Sequence, residues 1–374
     1  MSATRVAIIA PFFPRPSTAD DDHAKKGGVE RYVAELASAL PEHGFDVTVV
    51  APANAPGRVG GGAYSTVYFR RAGVMFGSPI FNPTSLFRAL EGFDLVHSQA
   101  TYPLLSDMPA LLVRLRGIAG LVTYHFDPSP PSPIGSAMAE LYSMSAAKMI
   151  KRYDRVIFSS KSYCESSPLM HSLPQDRVRV IPMGVDSNYF VPDSQVEREN
   201  KLLFVGRLVP YKDVSLLLRA MAAVNKVLPH LELLIVGTGP LESQLISEAS
   251  ALGVRARFLG RVDDAQLLRL YQSATATVLA SHNRQEAFGM TLLESMSCGT
   301  PVIAANVPGV KEVASISGNP VDPDSHEALA QAMIEAVRSP PSASHRLEIR
   351  ERIVRDYSWR RVAQRTAEVY RELL

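Results

Sequence analysis

Residues 276 to 306 read "ATVLASHNRQEAFGMTLLESMSCGTPVIAAN". The two ends, "ATVLAS" and "TPVIAAN", are short apolar runs of strand type, and the stretch between them is predicted to be helical. The helix is expected to begin around Phe288 and to stop before Gly299, the residue type favoured just beyond a helix C-terminus. A strand, a helix and a second strand of this kind form the repeating unit of a parallel sheet. Continuous Val, Ile and Leu runs suit strands covered on both faces.

The same alternation extends outward through nearly the whole chain. Ahead of this stretch lie "RVAIIAP", "DVTVVAP", "STVYF", "DLVHSQ", "GLVTYHF", "RVIFSS" and "RVRVIP", then "KLLFVGR", "LELLIVG" and "RARFLG". Amphipathic segments separate most of them, as in "VERYVAELASALPEH", where Val29, Val33, Leu36 and Leu40 recur at helical spacing. The polar segment 187 to 200 interrupts the rhythm. With 374 residues the chain exceeds one ordinary core. It is therefore read as two α/β domains, 1–186 and 187–357. A last helix, 358–374, is able to pack on either half. Ligands of such sheets bind outside the carboxyl ends of the strands.

Glu286 and Glu294 stand eight residues apart around Gly289. On one continuous helix they would diverge by about 80° beyond two full turns. If Glu286 precedes the helix and Glu294 sits about two turns inside it, the amides of Phe288, Gly289, Met290 and Thr291 lie between the carboxylates. Free amides at a helix start attract anions, and glycine permits close approach. Carboxylates beside such a spot accept hydrogen bonds from hydroxyl groups. Hydroxyls flanking a diphosphate describe a nucleotide sugar. The competing reading is an ordinary helix with solvated glutamates.

"VGRLVPYKD" places Arg207 at a strand end and Lys212 at the start of the next helix, two cations able to hold a diphosphate. Each taken singly reads equally well as a surface cation. "LLIVGTGPLESQL" adds a glycine turn of low specificity. "KKGGVERYV" puts Gly27 and Gly28 at a helix start, where a plain N-terminal turn is an equal reading. These glycines lie too far beyond the first strand for the NAD fingerprint.

Composition narrows the classes further. Hydrophobic residues are 46% and charged residues 20%, as in a globular protein. Lys plus Arg number 39 against 37 acidic residues, without the basic excess of a nucleic-acid binder. The two cysteines, Cys164 and Cys298, have neither metal nor disulfide spacing, which fits a reducing compartment. No apolar run approaches the ~18 residues of a membrane span. "TRVAIIAPFF" is read as a first strand rather than a signal sequence, so a cytoplasmic location is expected.

The ordered set "GGVE", "IPMGVD", "VGRLVPYKD", "VGTGPL", "FLGRV" and "EAFGMTLLESMSCGTPVIA" resembles the retaining glycosyltransferases of the family-4 type, which have the GT-B fold. The resemblance implies two Rossmann-like parallel-sheet domains facing a central cleft, with the last helix returning to the first domain. It implies that Arg207 and Lys212 bind the donor diphosphate, Glu294 the ribose and Glu286 the transferred sugar. The amides from Phe288 to Thr291 would contact phosphate or sugar. Arg261 and Val262 would border the base, and Gly28 would approach the phosphates. His125 would contact the sugar near the reacting carbon; as a sequence feature alone it reads as a histidine satisfied at a strand end.

The set of catalytic candidates is thus His125, Arg207, Lys212 and Glu286. No cofactor and no metal are expected, and the nucleoside-diphosphate sugar is a co-substrate. The acceptor is a hydroxyl on a glycan, lipid or small molecule. Two departures from the family pattern stand out. Gln99 replaces the second of a paired histidine after His97, and Met183 stands where asparagine is frequent. The acidic loop 15–26, with "DDDH", is read as a lid in preference to a metal site. "ALLVRLRG" and "AAKMIKRYDR" offer cationic surface for peripheral contact with a membrane, against the simpler reading of a solvated helix face. Rival functions are a nucleotide-sugar epimerase or glycogen-type synthase of the same fold, and a non-catalytic sugar-nucleotide binder. The sugar, the base and the oligomeric state are left open by the sequence.

Overall fold

The computed structural model describes residues 3–13, 28–75, 78–100, 107–126 and 147–374. The expected lid, 15–26, and Gly27 lie outside the described residues. The chain divides into two units. Unit 1 comprises Met1–Met183 and Trp359–Leu374, and unit 2 comprises Gly184–Ser358.

Unit 1 is built on β1 (Thr4–Ile9), β2 (Phe45–Ala53), β3 (Gly57–Val59), β4 (Ser65–Met75), β5 (Ser78–Phe81), β6 (Leu95–Ala100), β7 (Ala119–Tyr124), β8 (Arg155–Phe158) and β9 (Val178–Val180). The order is β3-β4-β2-β1-β6-β7-β8-β9, with β5 on β4. β1 is central and parallel to both neighbours, Val6 standing opposite Val47 and Leu95. Its residues Val6, Ala7 and Ile8 are fully buried, as a strand covered on both faces requires. The pairs β3–β4 and β4–β5 are antiparallel and were not anticipated from the sequence.

The helix Trp359–Arg371 belongs to unit 1. Its Tyr370 is fully buried edge-on to Phe45 at 5.2 Å, and the Tyr370 hydroxyl lies 2.8 Å from His97 Nδ1. Beyond it, Glu372 accepts from Arg155 at 3.2 Å and from Arg179 at 2.6 Å. Arg365 donates to the Val180 carbonyl at 2.7 Å. Aromatic burial at Tyr370 and Trp359 supplies the apolar part of this anchoring, and the arginines fix its register.

Unit 2 carries β10 (Lys201–Val205), β11 (Glu232–Val236), β12 (Ala256–Gly260), β13 (Ala276–Leu279) and β14 (Val302–Ala304) in the order β12-β11-β10-β13-β14, all parallel. β10 lies between β11 and β13, where the strand order reverses direction. The loops that leave the carboxyl ends of β10 and β13 therefore meet, the position at which open α/β sheets bind ligands. The glycines after β11 have a packing origin. A Cβ on Gly237 would stand 1.9 Å from the Gly206 carbonyl oxygen, and one on Gly239 would stand 2.3 Å from that of Leu208. The two loop backbones touch, and side chains there would separate them.

Candidate functional site

The loop after β10 turns through a short 3-10 helix, Pro210–Lys212, into the helix Val214–Val227. Asp213 joins the two with φ +43°, the only non-glycine residue in the left-handed region among those described. Its carboxylate caps the helix by accepting from the Leu216 amide at 3.1 Å. This turn directs Lys212 inward, where its aliphatic end lies over Gly206. Lys212 is 7% exposed and donates to Glu286, itself 9% exposed. Ser281 donates to the same carboxylate oxygen at 3.2 Å. The Glu286 side of the pair comes from the loop after β13. That loop is tied back by the His282 amide, which donates to the Tyr211 carbonyl at 3.2 Å.

The helix after this loop is Met290–Ser297, capped by Gly289 at φ +82°. It starts two residues later than Phe288, the expected first residue, because the left-handed turn at Gly289 comes between. Glu294 accordingly sits just over one turn inside, not two. The Leu292 amide donates to the Gly289 carbonyl at 2.9 Å. The amides of Met290 and Thr291 precede the first intrahelical acceptors, as at any helix start. Glu294 is buried and accepts from the Tyr271 hydroxyl at 2.9 Å. Gly299 follows the helix at φ +69°, as the sequence indicated.

Three other expected residues, Arg207, Arg261 and Val262, also belong to unit 2. Arg207 is exposed and, among the described residues, its guanidinium has no hydrogen bond or ion pair. Arg261 and Val262 line a pocket of about 350 Å³ together with Leu259, Gln266 and Leu270, on the side of the helix Asp264–Ser273. That lining includes none of Arg207, Lys212, Glu286 or Glu294. The structure thus joins Lys212 to Glu286 directly. Ser281 and Tyr271 were missed from sequence. A serine ending "ATVLAS" and a tyrosine on an amphipathic helix carry no distinguishing signal.

In unit 1, Gly28 is the exposed first residue of the helix Gly28–Ala39. Tyr32 of the same helix packs edge-on against His125 at 5.2 Å. His125 follows β7, and its amide donates to the Ala100 carbonyl at 3.2 Å. Its Nε2 lies 2.7 Å from Gln99 Oε1. A carbonyl oxygen only accepts, so Nε2 carries the proton and Nδ1 presents a lone pair. Among the described residues, Nδ1 is buried and has no hydrogen-bond partner. Burial pushes His125 down to about 3, so it is neutral at physiological pH. His97 is also pushed down to about 3, by burial and then by His125. Its two nitrogens are occupied by Tyr370 at 2.8 Å and Thr123 at 2.7 Å. His97 is therefore an internal tie, while Gln99 orients His125. Met183 is buried at the end of unit 1.

Among the described residues no cluster of three or more His, Cys, Asp or Glu is arranged to hold a metal ion. No helix of the described residues is long and apolar enough to cross a membrane.

Two family patterns match: "Glycosyl transferases group 1" over residues 188–354, and "Glycosyltransferase Family 4" over residues 26–189. The phosphatidyl-myo-inositol mannosyltransferase of Mycobacterium tuberculosis is 30% identical over 363 residues, covering 92% of this chain and 93% of the relative. D-rhamnosyltransferase WbpZ of Pseudomonas aeruginosa is 29% identical over 326 residues, covering 82% of each chain. Among solved structures, sucrose-phosphate synthase from Thermosynechococcus elongatus superposes with a TM-score of 0.78 at 24% identity, covering 99% of both chains. HepE of Anabaena, solved with UDP-glucose, gives a TM-score of 0.74 at 17% identity over 99% of this chain and 100% of its own. The chain belongs to the family-4-type glycosyltransferases and has the GT-B fold. It is a glycosyltransferase.

Proposed function

We propose that this glycosyltransferase takes a sugar from a nucleoside diphosphate and transfers it, with retention, to an acceptor hydroxyl. The observation that carries this reading is the buried contact of Lys212 with Glu286, set ahead of the glycine-capped helix Met290–Ser297. One cation, one carboxylate and a helix start suit a phosphate and a polyol held side by side. Lys212, Arg207 and the amides from Phe288 to Thr291 take the diphosphate. Glu286 takes sugar hydroxyls, Glu294 takes the ribose, and Arg261 with Val262 borders the base. His125 and Gly28 keep the roles that the family resemblance gives them, with the bare Nδ1 of His125 an acceptor for a sugar hydroxyl.

In this reading the leaving phosphate accepts the acceptor's proton on the face from which it departs. The protein contributes positioning and charge stabilisation. The cations do the work that a metal does elsewhere, so no metal is required. The crystallised relative with UDP-glucose supports a sugar-nucleotide donor. The relative that acts on phosphatidyl-myo-inositol by name supports a lipid-borne acceptor and peripheral, cytoplasmic work at a membrane. Exposed Leu115 beside Arg114 and Arg116 suits such contact.

The test is a panel of nucleotide sugars screened by thermal stabilisation, followed by turnover of the best donor in excess EDTA. Early proton NMR of the product gives its anomeric configuration. Activity that survives chelation with a matching anomer is expected. An inverted anomer would remove the same-face mechanism. Activity lost in EDTA and restored by magnesium would remove metal independence. Donor consumption to an isomeric nucleotide sugar without acceptor would identify an epimerase instead.

A further inference from the structure

We infer that the Lys212–Glu286 pair is a discrimination device that favours the intact sugar nucleotide over the nucleoside diphosphate left after transfer. The inference rests on the donor-site reading above and assigns the buried pair a role that the reading alone does not.

The two side chains are each other's charged partner, and both are almost out of solvent. A phosphate that recruits Lys212 competes with Glu286 for the ammonium's charge and its three donors. As Lys212 shifts its charge to the phosphate, the carboxylate is left buried with, among the described residues, the Ser281 hydroxyl at 3.2 Å as its other partner. A buried carboxylate that loses its cation is costly, because nothing replaces the lost interaction. The sugar decides the balance. An intact donor brings hydroxyl groups that can donate to Glu286 as Lys212 turns to the phosphate. Both members of the pair are then re-partnered. The free nucleoside diphosphate offers Lys212 an acceptor and offers Glu286 nothing. Occupancy by product therefore leaves an uncompensated carboxylate, which weakens product binding relative to donor and speeds its departure.

Ser281 sets the size of the effect. It is fully buried just beyond β13 and donates to the same carboxylate oxygen that Lys212 holds. Its hydroxyl softens the isolation of the carboxylate, so it is a positioning residue whose removal sharpens discrimination. Gly206 has a supporting part. A Cβ there would meet Lys212 Cε at 3.3 Å, so the glycine gives the ammonium room to swing between partners.

The experiment is calorimetric titration of UDP, UDP-glucose, GDP and GDP-mannose into the wild-type chain and two variants. In Glu286→Gln no ion pair has to be broken, so the matching diphosphate should bind about tenfold tighter or more. The intact donor should gain less or lose affinity, and the donor-to-diphosphate affinity ratio should collapse. Ser281→Ala keeps the pair and withdraws the second partner. It should weaken the diphosphate a few-fold and widen the ratio. This variant also keeps the test decisive if Glu286→Gln fails to fold.

If Glu286→Gln raises both affinities by the same factor, simple charge removal explains the change and the discrimination role is overturned. A ratio unmoved in Ser281→Ala overturns it likewise. Failure of the donor-site reading looks different. There, none of the four ligands would bind the wild-type chain, and the discrimination role would fall with it.

Discussion

Acidification should destabilise unit 1 through its two buried histidines, and the chain carries its own reporter for that loss. His97 and His125 are each pushed from the ordinary 6.5 down to about 3, chiefly by burial. The unfolded chain therefore binds protons that the folded one refuses between those two values. Stability from each neutral ring is present above pH 6.5 and is lost as pH falls below it. At pH 5.5, one unit below the unfolded value, the linkage relation gives about 1.4 kcal/mol per histidine, or ~3 kcal/mol for the two. For a unit of roughly 200 residues each kcal/mol moves the midpoint by about 2–4 °C, so a fall of about 6–12 °C is expected between pH 7.5 and 5.5. Glu372, held below the usual 4.5 by Arg179 and Arg155, loses its contribution only at lower pH. The assay is thermal unfolding followed by fluorescence of Trp359. It is the only tryptophan in the chain, and it is buried in unit 1 against Tyr32 at 5.6 Å. A midpoint that does not move between pH 7.5 and 5.5 would refute the reasoning. So would an undiminished shift in the variant His125→Gln, which lacks one of the two rings.

Three further outcomes are expected. Lys212→Ala should weaken the sugar nucleotide roughly 10- to 150-fold by calorimetry, the range of one charge-assisted bond, with the circular dichroism spectrum unchanged. Glu294→Ala should weaken the free nucleoside diphosphate about tenfold, whereas Tyr271→Phe, which withdraws only the hydroxyl bonded to Glu294, should cost less; a reversed ranking in the same titration would move the ribose away from Glu294. Gly237→Ala forces a Cβ to within 1.9 Å of a backbone oxygen at φ +126°, and should destabilise unit 2 by ~3 kcal/mol, read by urea titration of amide exchange in β10 and β11.

Most of the sheet structure was legible because its strands are continuous runs of Val, Ile and Leu, and a run buried on both faces needs no partner to be recognised. β3 and β5 escaped because "GRV" and "SPIF" are three and four residues long and pair antiparallel at the margin of the sheet. Helix boundaries were less legible. Phe288 has the apolar character of a first helical residue, but the left-handed backbone of Gly289 delays the start. Residue types at the candidate site were recognisable from spacing, and their mutual geometry was not. Lys212 and Glu286 are 74 positions apart, and their contact depends on β10 and β13 being neighbours. The glycines after β11 looked like generic turn residues, yet they are demanded by the carbonyls of Gly206 and Leu208. Gln99 stood out only as a departure until the structure gave it His125 as a partner.

The return of the helix Trp359–Arg371 to unit 1 has a consequence for biosynthesis. Unit 2 is one uninterrupted segment, Gly184–Ser358, whereas unit 1 is assembled from two pieces separated by all of it. During translation the second unit can close as soon as Ser358 has left the ribosome. The first must wait for residues made later still, with His97 lacking Tyr370 and the Phe45 ring uncovered in the meantime. The usual order, in which the earlier domain folds first, is reversed here. Nascent chains stalled before residue 359 should therefore expose an apolar strip along the helix Gly28–Ala39 and Phe45. That strip is the natural target for a chaperone until synthesis is complete.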